Sequence, residues 1–441
     1  MNKEKKNTRG ITLIALVITV IVLLVLVGVT IAALSGDNGI LTRAKEAKEK
    51  TEQAQDNESK TLSNMENILE SYKFENINTA DTNPAGAMPS DGTILENDAN
   101  KGIVIKDKNE NEWVWIEVPK TTVFTDLSID TTQELTEQNY NDIKNKLVTY
   151  AATYRKGSAT QNENWTDEWY AKDGEVLVTE STANLTDVQK KLTNGCGLTY
   201  NEYKIEYQKM LKSVYTYGGF WIGRYEAGIE GSIEDVSKAR IAHTDIKIGK
   251  SPKAISQKDA LPYNYVYCSE AESLAREMKP NSNYISGLMF GIQWDLVCKF
   301  LEVKSGFKIS DINSNSSNWG NYNNTEKAIT SVKAKQSTDN GMNWKSITGV
   351  KPANSSTILS SGASEETNKM NIYDLAGNEW EWTLEKTLDS KYPCSNRGGS
   401  YNLEGVGYPV ANRSNIGIAD SSQNLSFRAT FYADYNNAFI E

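Results

Sequence analysis

Three phrases near the C-terminus gather most of the side chains able to do charge or metal chemistry: Tyr373-Asp-Leu-Ala-Gly-Asn-Glu-Trp-Glu-Trp382, Arg397-Gly-Gly-Ser400 and Phe427-Arg428. In the first, Asp374 and Glu381 supply carboxylates, and an Ala-Gly-Asn turn presents main-chain carbonyls at Gly377 and Glu379. Hard oxygens around a glycine-permitted bend are what Ca2+ requires, so Asp374, Gly377, Glu379 and Glu381 form a candidate structural calcium site. On a strand, the period of two puts Trp380 and Trp382 on one face and Glu379 and Glu381 on the other. That arrangement anchors a core with two indoles whether or not a metal is bound. The glycines of the second phrase read as points of close backbone approach, and Arg397 and Arg428 as charge-pairing groups.

Between the last two phrases lie Tyr401, Asn402, Glu404, Tyr408, Asn412 and Asn415, the candidate ligand-binding residues. Tyrosine and asparagine give flat contacts at low entropy cost and adaptable hydrogen bonding, the physics that fills antibody loops. The bland alternative is a solvated polar loop.

Other chemistry is scarce. The chain has four cysteines (Cys196, Cys268, Cys298, Cys394), widely spaced and without a C-x-x-C pair, which disfavours zinc or a redox motif. Cys268 and Cys298 fall in helical patterns and read as small buried side chains, with disulfides between distant positions left open. A histidine metal cluster or a Ser-His or Cys-His dyad would rest on the single histidine, His243. A formal net charge of -10 leaves no basic stripe for phosphates and disfavours a nucleic-acid partner.

The elements that must position these residues begin far upstream. Residues 1–10 form a basic leader with Lys3, Lys5, Lys6 and Arg9 against Glu4. Residues 11–34 are apolar with no charged residue, long enough at about 1.5 Å per residue to span a bilayer. The positive-inside rule then places the N-terminus in the cytoplasm and the remainder outside the cell. Residues 35–74 read as a polar helical stalk, with Glu46 and Lys50 four apart. Residues 75–100 are rich in turn formers and read as a linker. From 101 to 441 the pattern is α+β. Residues 102–106 and 112–118 form a hairpin and 217–226 another strand. The 122–216 insert between them is helical near 133–148 and 199–213. Helices follow over 267–278, with a serine cap, and over 286–301, then a polar surface loop over 310–324.

The C-terminal phrases resemble the formylglycine-generating enzyme (sulfatase-modifying factor) family, as does Tyr217-Gly-Gly-Phe-Trp-Ile-Gly-Arg-Tyr-Glu226. The resemblance covers residues 217–432 and is most specific over 371–432. It implies a C-type-lectin-like outer domain, and positions matching 374, 377, 379 and 381 bind calcium in that family. The family's enzymes do thiol chemistry with two cysteines shortly after the Arg-Gly-Gly-Ser phrase. Here that stretch reads Tyr401-Asn-Leu-Glu-Gly-Val-Gly-Tyr408 and holds no thiol, which implies a binder and not an enzyme. Retroelement-diversified lectin-fold proteins use the same location as a variable binding face.

Arg9-Gly10-Ile11 is similar to the processing site of type IV prepilins, with cleavage by a prepilin peptidase after Gly10 and Ile11 as the new terminus. Pilins usually carry glutamate at the fifth mature position, here Ala15, so assembly with pilin-like subunits stands against a plain signal anchor. The expectation is a membrane-anchored, surface-displayed protein that binds an extracellular protein or glycan. A structural or minor pilin-like subunit is the alternative, and a sulfatase-modifying-type oxidase ranks lowest.

Overall fold

The computed structural model describes residues 13–35, 39–161, 165–167, 195–198, 200–231, 252–387, 389, 391–418 and 420–434, in two units, Met1–Tyr72 and Lys73–Glu441. The first unit holds helix α1, Leu13–Ser35, and nearly all of helix α2, Ile40–Asn76. Side chains of α1 are described for residues 15–31, and among the described residues no helix is long and apolar enough to cross a membrane.

The second unit is a mixed α+β domain with several sheets. Its main sheet has six strands: β1 (Thr93–Glu96), β2 (Val104–Lys106), β3 (Glu112–Glu117), β4 (Gly219–Gly223), β5 (Tyr284–Leu288) and the last strand of the chain, Ala429–Ala433. The spatial order is β1-β2-β3-β4, then Ala429–Ala433, then β5, all antiparallel. The hairpin expected from the alternating residues 102–118 is the β2–β3 pair.

Aromatic residues fill this sheet because it is covered on both faces. Trp113 meets Phe431 edge-on at 4.8 Å and Trp115 packs on Trp221 at 5.0 Å. At Gly219 the main chain crosses so closely that a Cβ would lie 2.5 Å from the Trp115 ring and 2.3 Å from the Ile116 carbonyl.

Helix α3, Glu137–Tyr150, begins at a Thr136–Asn139 capping box, and α4, Tyr200–Tyr217, leads into β4. Both lie close to the expected stretches of the insert. Helix α5, Cys268–Glu277, precedes β5. Helix α6, Gly291–Lys304, follows it and packs nearly its whole length into the core.

Four expectations need correction. Residues 77–100 are no linker: Ile77, Thr82, Ala87 and Met88 are buried, and Thr93–Glu96 is the sheet edge. The helix expected over 286–301 begins as strand, because Ser286 and Gly287 pair with Phe431 and Thr430, and helix starts only at Gly291. The serine cap of α5 is absent: Tyr267 occupies the cap position and makes no capping bond to the helix, and Ser269 is buried. Residues 310–324 are no surface loop either. They open with helix α7, Ile309–Asn313, and bury Ser316, Trp319, Asn321 and Tyr322. The Asn321 amide is bonded inside, its Nδ2 donating to Thr357 O at 3.1 Å and to Asn378 Oδ1 at 2.8 Å.

A second sheet carries the C-terminal phrases. Its strands are β6 (Trp380–Thr387), β7 (Cys394–Arg397), β8 (Arg413–Ile416) and β9 (Leu425–Phe427), in the order β8-β7-β6-β9. Only β6–β9 is parallel among these, and the two-residue strand Trp165–Thr166 joins the far end of β6.

Candidate functional site

The register of β7 against β8 sets Arg397 directly opposite Arg413, two fully buried guanidiniums that need counter-charge. Asp295, in the middle of α6, receives Arg397 Nη2 at 2.8 Å and Arg413 Nη2 at 3.0 Å. Glu385, on β6, receives Arg413 Nε at 2.7 Å. Arg155 from the short helix Ala152–Arg155 adds contacts to Asp295 at 2.6 Å and to Asp167 at 3.0 Å. Three guanidiniums thus meet the carboxylates of Asp167, Asp295 and Glu385. Burial raises the Glu385 carboxyl, but Arg413, Arg397 and Arg155 together outweigh it and hold it at about 2. The insert is part of this lattice, since Arg155 and Asp167 come from it.

The sequence marked Arg397 as a pairing group without naming its partners. Asp295, a carboxylate set between Trp294 and Leu296 in the buried part of the helix, was the available signal. The glycines beside Arg397 act as expected. Gly398 and Gly399 have φ of +96° and +78°, and a Cβ on Gly399 would lie 2.5 Å from the Tyr408 carbonyl.

The proposed calcium ligands lie close together in the chain, but the Asp374 and Glu381 carboxylates are engaged by protein donors. Glu381 accepts from Arg428 through both oxygens, with Nη2–Oε1 at 2.6 Å and Nε–Oε2 at 3.0 Å. Asp374 accepts the Gly362 N–H at 2.7 Å and the Thr367 hydroxyl at 2.8 Å. Glu379 accepts Asn264 Nδ2 at 3.3 Å, and the Gly377 backbone lies in a bridge with Asn321. Among the described residues no group of three or more His, Cys, Asp or Glu side chains is arranged to hold a metal. The donor set therefore does not fit calcium as the sequence had suggested, because a guanidinium occupies the cation's place at Glu381. The strand is also buried on both faces, Glu379 and Glu381 as much as Trp380 and Trp382. Burial raises Glu381 to about 7 despite Arg428.

The six candidate ligand contacts separate into two groups. Tyr401 and Asn412 are buried. The Tyr401 hydroxyl donates to Asn340 Oδ1 at 2.9 Å, and Asn412 Nδ2 donates to Ser158 Oγ at 3.2 Å. These two are structural, a correction to the sequence reading. Glu404, Tyr408 and Asn415 are exposed and Asn402 is half-buried. Val406, overlooked as an apolar residue in a polar loop, is 60% exposed, more than Tyr408.

The tip stands on a fixed base. Tyr322 donates its hydroxyl to the carbonyls of Gly398 (3.0 Å) and Tyr408 (2.8 Å). The main chain of Asn323 donates to Leu403 O at 2.8 Å, and that of Ser316 to Gly405 O at 3.1 Å. Trp294 Nε1 donates to Val410 O at 3.1 Å. The Tyr408 ring meets Trp380 edge-on at 5.9 Å. The turn that carries Asn340 also exposes Met342.

Gly10, Ile11 and His243 lie outside the described residues. All four cysteines are buried, and none is in a disulfide.

No protein-family model matches the chain, and no curated protein matches it. Among solved structures, the crystal structure of CarF aligns at 14% identity with a TM-score of 0.31, covering 49% of this chain and 87% of that one. Treponema denticola variable protein 1 aligns at 14% identity with a TM-score of 0.27, covering 48% of this chain and 84% of that one.

Proposed function

We propose that the chain is a non-enzymatic binding protein with a C-type-lectin-like outer domain, displayed on the cell surface. Its contact side chains are Asn402, Glu404, Val406, Tyr408 and Asn415, and its ligand is an extracellular protein or glycan. The observation that supports this is the division of labour within residues 397–415. Every charged or hydrogen-bonding anchor points inward, whereas Glu404, Val406 and Tyr408 point out from a base held by Tyr322, Asn323 and Trp294. Such a base lets exposed residues change without disturbing the core, which is the requirement for a face diversified by a retroelement. The uncharged run over 11–34 supports anchorage in a membrane with the leader inside the cytoplasm. Gly10 before Ile11 favours a second reading, export as a pilin-like subunit. N-terminal sequencing that finds Met1 on the cell-derived protein would remove that reading.

Sequencing codons 397–432 across one bacterial population tests the main proposal. Substitutions should gather at 402, 404, 406, 408 and 415 and spare 397, 401, 412, 413 and 428. A uniform stretch, or changes spread evenly over buried and exposed positions, removes diversified recognition.

A further inference from the structure

Helix α6 opens on a glycine that leaves room between two carboxylates. A Cβ on Gly291 would lie 2.7 Å from Asp167 Oδ1 and 2.6 Å from Glu385 Oε1. Both oxygens are buried, and neither has a hydrogen-bond partner among the described residues. Arg155 Nη1 stands 3.6 Å from Glu385 Oε1, an ion-pair distance too long for a hydrogen bond. The other oxygen of each carboxylate is engaged. Asp167 Oδ2 accepts from Arg155 Nη2 at 3.0 Å and from the Tyr207 hydroxyl at 3.5 Å, and Glu385 Oε2 accepts from Arg413 Nε at 2.7 Å. Buried acceptors without donors are uncommon, because each forfeits the bonds it made in water.

This cradle borders a cavity. Asp167 is also part of the wall of a space of about 280 Å3 between α3 and α4. Tyr203 and Tyr207 line it too, their rings stacked 6.0 Å apart. Both rings meet Phe290, the neighbour of Gly291, edge-on at 5.3 and 5.0 Å. The Tyr203 hydroxyl donates to the Asp167 carbonyl, which ties the aromatic wall to the cradle. Charge is balanced on both levels. Glu137 and Asp167 line the cavity together with Lys144 and Lys204. Beneath it, Asp167, Asp295 and Glu385 are matched by Arg155, Arg397 and Arg413. A cation in the cradle would leave an uncompensated buried charge, whereas neutral donors satisfy both oxygens without one.

We propose that this cavity binds a single pyranose sugar, two adjacent hydroxyls of which donate to Asp167 Oδ1 and Glu385 Oε1 while its C–H face packs on Tyr203 and Tyr207. Two acceptors flanking one point require two neutral donors side by side, and a vicinal diol supplies them. The flat aromatic wall suits the apolar face of the ring, and a few placed polar groups set its orientation. Recognition rests on hydrogen bonds and needs no metal ion. The site is built by the insert, α6 and β6, apart from the exposed side chains of the tip, and does not depend on what the tip binds.

The test is saturation-transfer NMR on the full chain in a detergent without sugar groups, with EDTA present, against the methyl glycosides of glucose, galactose and mannose. Transfer to at least one glycoside is expected, and it should vanish when the ring hydroxyls of that glycoside are O-methylated. It should also vanish in Asn141→Trp, which plugs the cavity from an exposed position on α3 and leaves the buried lattice untouched. Tyr408→Ala should bind as wild type does. No transfer to any of the glycosides, equal transfer to the O-methylated form, or a signal that survives in Asn141→Trp would overturn the proposal. A signal lost in Tyr408→Ala but kept in Asn141→Trp would assign the sugar to the tip and overturn it as well.

Discussion

Arg428 grips Glu381 through both carboxylate oxygens at 2.6 and 3.0 Å, and the same guanidinium donates to the main-chain carbonyls of Gly223 at 2.9 Å and Tyr373 at 2.8 Å. One side chain thus ties the end of β4, the Tyr373 phrase and β6 together. Removing one partner of a buried pair strands the other charge, which typically costs about 3–5 kcal/mol. Arg428→Met should lose stability of that order in urea unfolding. A loss below about 1 kcal/mol would mean that Glu381 is neutralised by another group.

The same contact bears on calcium. With Arg428 as the counter-charge of Glu381, thermal melting curves with and without a chelator should coincide. A fall in melting temperature on chelation, restored by added Ca2+, would instead return Asp374, Gly377, Glu379 and Glu381 to the role of ligands.

Lys351 gives a pH signature. It sits opposite Lys327 in an antiparallel pair and donates to the carbonyls of Tyr322 at 2.5 Å and Thr325 at 2.8 Å, with the Glu366 carboxylate acting on Lys327. Burial, then the Lys327 ammonium, lower it from 10.5 to about 8. Between those values the unfolded chain holds the extra proton, so folding stability must rise with pH across that window. Subtracting the profile of Lys351→Met cancels other titrating groups. The difference should grow in favour of wild type from pH 8 to pH 10, and a flat difference would refute the assignment.

Gly399 tests the base of the tip. At φ of +78°, with a Cβ only 2.5 Å from the Tyr408 carbonyl, Gly399→Ala combines backbone strain with a main-chain clash. A destabilisation of about 1–3 kcal/mol is expected, whereas Tyr408→Ala should cost less because the ring is 40% exposed. Equal losses in chemical denaturation would show that the tip is part of the core.

The parts of this architecture readable from sequence are those with local causes. Alternation announced the β2–β3 hairpin, and helical periodicity announced α3, α4 and α5 within a few residues. Glycine beside arginine announced the tight passage at 397–399. What was hidden depends on distant partners. Ser286 and Gly287 look helical until Phe431 and Thr430 arrive to pair with them. Asn321 looks solvated until Thr357 and Asn378 accept its amide. Tyr401 and Asn412 have the composition of a binding loop, yet Asn340 and Ser158, both far off in sequence, turn them inward. Glu381 had the chemistry of a calcium ligand until Arg428 reached it first.

The separation of scaffold from contact face can be measured in one display experiment. Codons 402, 404, 406, 408 and 415 are randomised in one library and codons 397, 401, 412, 413 and 428 in another, and the fraction of displayed variants that resist protease is counted. Most of the first library should survive and almost none of the second. Comparable survival in the two would contradict the claim that these five exposed residues are free to serve recognition.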